Sequence, residues 1–152
     1  MSFGMEQARA LVDAGIRAAE EKGYLVAVTI VDAAGNFMWS GRMDGTKFVA
    51  PDIARAKAFT AAAFRQSTAV LEEKANPKPV FYTGVQVVHG GHIAIGQGAL
   101  PIWIGDEVVG GIGVSGAAPQ EDEEVAAAAL EAEGYSFPAA DVATRAALGH
   151  SR

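Results

Sequence analysis

Ala8, Leu11, Val12, Ile16 and Ala19 recur at helical spacing, which puts them on one face of a helix from about Glu6 to Lys22. Gly23 follows where a C-terminal cap belongs. Leu25 to Val31 is β-branched and nearly unbroken, the pattern of a strand covered on both faces. Asp32-Ala33-Ala34-Gly35-Asn36 supplies turn chemistry, and Phe37 to Arg42 returns as the second strand of a hairpin ended by Met43-Asp44-Gly45. Pro51 suits a first helical turn and Asp52 suits the positive end of its dipole, so the alanine-rich stretch to Phe64 predicts a second helix. Ser67 or Thr68 caps a short third one, which Asn76-Pro77-Lys78-Pro79 cannot continue.

Residues 80–91 fit no single period, and Val85 to Val88 has the composition of a strand. His92 to Gly96 reads as a strand, and so does Leu100 to Ile104. Gly105-Asp106 then turns the chain into Glu107 to Val114. Pro119 and the acids Glu121 to Glu124 open a last long helix, ended by Gly134, and the tail predicts a short helix from Ala140 to Leu148. Hairpins dominate and strands do not alternate with helices. The pattern predicts an α+β fold, an antiparallel five-stranded sheet flanked by helices.

At 152 residues the chain is long enough for one domain with a genuine core. Half of it is hydrophobic and only 20% is charged, so apolar surface is left for a homo-oligomer to cover. The absence of cysteine excludes disulfides, thiolate nucleophiles and cysteine-ligated metal. A net charge of −6 with scattered basic residues argues against nucleic acid and acidic membranes as partners. No apolar run is long enough to span a bilayer, and the first residues lack the order of a secretory leader, which predicts a cytoplasmic protein.

Gly111-Ile112-Gly113-Val114-Ser115-Gly116 matches the dinucleotide fingerprint literally. The next helix nevertheless opens with four acids, which would repel a pyrophosphate, and no later strand closes a parallel unit. No NAD is expected. The glycines instead suit close approach of a helix or a second chain to the sheet. Ser115 lies outside any G-x-S-x-G context and is assigned to backbone geometry.

His89 and His92 flank two glycines that let the backbone fold back. They read either as surface loop residues or as a pair able to ligate haem iron or move a proton. A protein-ligated metal ion is not expected, because two ligands lack a third. Arg42 and Asp44 flank a strand end, and Lys57 sits on a largely apolar helix. Lys57 either snorkels to water or, if buried, pairs with Asp32, Asp44 or Asp52 or holds an anion. Arg42 and Lys57 together could hold carboxylates, with Asp44 beside them, or could tie the helix to the hairpin. Asp32 reads as a turn-former. Trp39, Trp103 and Phe48 line an apolar pocket or pack as core. His150 near the end is assigned nothing.

Several segments in order resemble the GlcG/HbpS family: Val28-Thr29-Ile30-Val31-Asp32-Ala33-Ala34-Gly35, Arg42-Met43-Asp44-Gly45, and Ala56-Lys57-Ala58 with Thr60-Ala61 and Thr68. Gly98-Ala99-Leu100-Pro101-Ile102, the glycine-rich segment from Gly110 to Gly116, and Asp122 complete the series. The resemblance implies a profilin-like sheet over residues 1–134, a C-terminal extension over 135–152, and assembly into dimers or rings. Ala99 replaces a glycine usual in the family, and Thr46 a common alanine. The family includes haem-binding and haem-degrading proteins, domains attached to corrinoid adenosyltransferases, operon companions and reported deaminases.

The expected function is binding of a small carboxylate-bearing molecule in a catabolic pathway, either alone or with its conversion in the manner of a cofactor-independent deaminase, lyase or isomerase. His92, His89 and Lys57 are the catalytic candidates, and Arg42, Asp44 and Lys57 the substrate-binding ones. A haem- or tetrapyrrole-binding protein and a non-catalytic companion subunit are the alternatives.

Overall fold

A computed structural model describes residues 2–139 and 141–149. In chain order the elements are α1 (Met5–Lys22), β1 (Ala27–Asp32), β2 (Phe37–Arg42), α2 (Ala50–Phe64), α3 (Thr68–Ala75), α4 (Pro79–Val88), β3 (Ala99–Ile104), β4 (Glu107–Ser115), α5 (Pro119–Ala132) and α6 (Val142–Ala147). The strands form one antiparallel sheet in the order β2-β1-β4-β3. Among the described residues it has four strands, not the five expected.

The alternation of side chains across the pleat decides which helix covers which face. Val28 and Ile30 of β1 stand opposite Val114 and Ile112 of β4, and Leu100 of β3 stands beside Ile112. These side chains are fully buried with Leu11 and Val12 of α1 and Val125 of α5 in the main core. The other face presents Val31, Gly111 and Gly113, and α2 lies on it with Ala58 and Ala62 against Val31. The helix comes so close that a Cβ on Gly111 would fall on Ala58 O, and one on Gly113 on Ala54 O. The glycine segment thus serves helix–sheet packing, as its place inside the strand implies.

Local chemistry sets the turns. Asp32 Oδ1 accepts from the backbone N–H groups of Ala34 and Asn36, both at 2.9 Å, and Oδ2 from the Asn36 amide at 3.2 Å. Gly23 is left-handed at φ 75° and closes α1. Ser67, not Thr68, caps α3 by accepting from Val70 N–H.

His92 to Gly96, expected as a fifth strand, is irregular because its backbone is bonded by side chains. Ala94 N–H donates to Thr60 Oγ1 at 3.0 Å, and Gln97 N–H just beyond it to Glu72 Oε1 at 3.1 Å. The free edge of β3 is also closed to an added strand. Thr68 Oγ1 accepts from Ala99 N–H at 3.0 Å, and Pro101 has no N–H to offer. Val85 to Val88 likewise lies in a helix rather than a strand. Pro79 starts that helix, and its backbone is satisfied internally.

The C-terminal segment is fastened to the sheet end by Trp103 Nε1–H donating to Asp141 Oδ2 at 2.9 Å, and to α3 by Ser67 N–H donating to Thr144 Oγ1 at 2.9 Å. Of the short helix expected from Ala140 to Leu148, Val142–Ala147 is helical. Ala140 and His150 lie outside the described residues.

Gly113→Ala forces α2 off the sheet and is expected to cost about 3 kcal/mol in denaturant unfolding, the upper range for overpacking. Gly84→Ala, in a helix with nothing within 4 Å of an added Cβ, is the control and should be neutral or stabilising by up to about 1 kcal/mol. Equal effects of the two would refute the packing argument.

Candidate functional site

Helix α2 carries two different chemistries on two sides. Asp52, Arg55, Ala56 and Phe59 follow i, i+3, i+4, i+7 spacing and share one face. That face lines a cleft of about 400 Å³ with Asn36, Gly91 and His92. The Phe59 ring lies over Gly35, where a Cβ would collide with it. Gly35 also has φ 85°, so both space and backbone conformation select glycine there.

The two histidines meet on the same ring. His92 stacks on Phe59 with centroids 5.6 Å apart, and His89 meets it edge-on at 6.1 Å. Gly90 and Gly91, at φ 60° and 85°, fold the chain back so that His92 N–H donates to His89 O at 3.2 Å. His89 ends α4, which buries none of its side chains. Val80, Phe81 and Val88 are 87%, 63% and 81% exposed. With Gly84, Val85 and His89 they line a second, apolar cleft of about 410 Å³. An apolar cleft ending in an imidazole therefore abuts a polar one holding a guanidinium and a second imidazole.

Arg55 was not among the cations singled out in the sequence. Its guanidinium sits 5.6 Å from the Phe37 ring centroid. The shared helix face of Asp52, Arg55 and Phe59 is the signal in the sequence that marks it.

Lys57 points the other way and does not snorkel. It is 7% exposed, and its ammonium donates to Val114 O at 2.8 Å, Gln97 O at 3.1 Å and Asp122 Oδ2 at 3.4 Å. Its carboxylate partner is Asp122, not Asp32, Asp44 or Asp52: the close seating of α2 on the glycine face brings it to the end of β4, where α5 begins. Burial pushes the Lys57 pKa down against the pull of Asp122, and pushes Asp122 up against Lys57 and the Ala117 N–H. Arg42 is exposed at the end of β2 and donates to Thr46 O at 2.8 Å within its own turn, where Asp44 is also exposed. None of Arg42, Asp44 and Lys57 lines the cleft at His92.

Glu123 joins the Lys57 cluster through Gln97, whose amide donates to Glu123 Oε2 at 3.2 Å. It is 8% exposed, and its Oε1 is buried without a hydrogen-bond partner among the described residues. Burial raises its pKa, opposed by the Gln97 amide. A carboxyl raised on folding contributes stability below its unfolded pKa and loses it as pH rises through the folded value. Glu123→Gln keeps an acceptor for Gln97 and removes the charge. It should match the parent near about pH 4 and exceed it by about 1 kcal/mol near about pH 8. A gain that does not grow with pH in urea unfolding would contradict this.

The arrangement can be set beside known proteins. The chain is 34% identical over 106 residues to a 15.0 kDa protein of the dhaT-dhaS intergenic region of Citrobacter freundii, covering 70% of this chain and 74% of that one. It is 30% identical over 132 residues to the corrinoid adenosyltransferase PduO of the same organism, covering 87% of this chain but only 39% of PduO. The crystal structure of a PduOC–haem complex superposes with a TM-score of 0.81 at 26% identity, covering 90% of this chain and 98% of that one. The family model of the haem-degrading protein HbpS-like proteins matches residues 3–131. The chain therefore belongs to the HbpS-like family.

Proposed function

We propose that this protein binds haem or a closely similar tetrapyrrole, with the apolar face of α4 against the macrocycle and His89 as a protein ligand to the iron. The observation that carries this reading is the apolar cleft on α4 with an imidazole at its end. A ring system with apolar faces covers exposed valine and phenylalanine side chains, and imidazole nitrogen is a haem-iron ligand. Membership of the HbpS-like family and the likeness to the PduOC–haem complex support it. When bound, haem supplies a redox-active iron. The chain's own residues contribute an apolar seat, an imidazole and, through Phe59, a rigid link to the polar cleft.

The broader class read from the sequence, a carboxylate-bearing ligand, is compatible with this one, because haem carries two propionates. Arg42 and Lys57 are poor anchors for them, since Lys57 is buried with its donors on Gln97 O, Val114 O and Asp122, and Arg42 lines neither cleft.

Titrating the purified protein with haem should give a saturable Soret band whose position changes in His89→Ala. His92→Ala should retain the parent band position, and urea unfolding of each variant checks the fold. No saturable band with the parent protein, or a parent-like band in His89→Ala, would overturn the assignment.

A further inference from the structure

We infer that Arg55 is the anchor for a free carboxylate of the ligand, so that the site selects tetrapyrroles with un-esterified acid groups. The inference rests on the haem reading and adds a specificity-determining residue to it.

The argument starts from how each cation uses its donors. Lys57 spends its three donors on protein acceptors, and Arg42, with one donor on Thr46 O, lines neither the cleft at His92 nor the one on α4. Arg55, among the described residues, has no ion pair and no hydrogen bond, and its contact is the face of Phe37. Stacking on an aromatic ring restrains the guanidinium without consuming any of its five N–H donors. A planar fork held in this way matches a carboxylate bidentately, at lower entropic cost than a free side chain.

The surroundings separate Arg55 from the other arginines that line clefts. Arg65 shares its cleft with Asp106 and Glu107, and Arg145 shares its own with Glu131. Arg55 lies with His92, a second N–H donor, and with one acid, Asp52. Asp52 is exposed and makes no ion pair with Arg55. Its charge opposes an incoming carboxylate, which gives the proposal a second handle of opposite sign. The placement is also continuous with the apolar cleft, because Phe59 touches both His89 and His92. A ligand with an apolar body at His89 and an acidic arm reaching past Phe59 would meet Arg55.

The test compares binding of haem and of its dimethyl ester, read by Soret titration, in the parent protein, Arg55→Gln and Asp52→Asn. The parent should prefer the free acid by about tenfold, the scale of one charge-assisted hydrogen bond. Arg55→Gln should lose that preference by weakening haem alone, with the Soret position and the ester affinity unchanged. Asp52→Asn should widen the preference. Equal binding of acid and ester by the parent, or a full preference surviving in Arg55→Gln, would overturn the inference while leaving haem binding intact. Absence of a Soret band with both compounds would instead overturn the haem reading on which it rests.

Discussion

Where β4 runs beneath α2, its Gly111 and Gly113 present no side chains, and the helix backbone rests almost directly on the strand backbone. Gly111 and Gly113 face Ala58 O and Ala54 O, and any Cβ there would displace the helix. Close seating of this kind has consequences in two directions. Inward, it brings Lys57 within reach of Val114 O at the end of β4 and of Asp122 at the start of α5. Outward, it sets Phe59 over Gly35 and so fixes the wall between the two clefts. A bulkier β4 would lift α2 and lose both contacts together.

The buried lysine is intelligible in these terms. A charge in an interior is tolerated only when its donors are satisfied. Lys57 meets three acceptors drawn from β4, α5 and the segment before β3, so one ammonium ties together elements distant in sequence. Gly98 belongs to the same device. Its φ is 137°, and a Cβ there would lie 2.6 Å from Lys57 Nζ and 2.8 Å from Val114 O. A hydrophobic side chain at 57 would leave Asp122 buried without its cation. The pair is thus better understood as a register lock between helix and sheet than as a source of net stability.

Local chemistry was legible in the sequence, and long-range partners were not. The first hairpin, the Asp32 turn, the Gly23 cap and the close-approach glycines each depend on a few neighbouring residues, and each is found where the pattern puts it. The fifth strand was misread because extended backbone at His92 to Gly96 finds side-chain partners, Thr60 and Glu72, that no periodicity reveals. The β-rich composition of Val85 to Val88 is overridden by a helix that Pro79 starts and whose backbone bonds are made internally, away from the blocked edge of β3. Lys57 stands out in the sequence as a cation on an apolar helix, but its carboxylate partner lies 65 positions away, and only the fold names Asp122. Arg55 was passed over because an arginine on an exposed helix face looks ordinary until its neighbours are known.

The division between scaffold and site has a further physical consequence. Helix α4 contributes no buried side chain, so the core does not constrain its composition. Substitutions along Val80, Phe81 and Val88 can change the apolar seat without opening a cavity. The cleft at Arg55 and His92 also lies outside the Lys57 cluster, although α2 contributes to both. If the proposed site is the binding site, ligand preference can shift through exposed positions on α2 and α4, while β4, Lys57 and Asp122 hold the sheet and helices in register. On the proposed haem reading, exposed valines on α4 are, by the same argument, more informative about the ligand than any buried residue of the sheet, because core packing does not account for their being apolar.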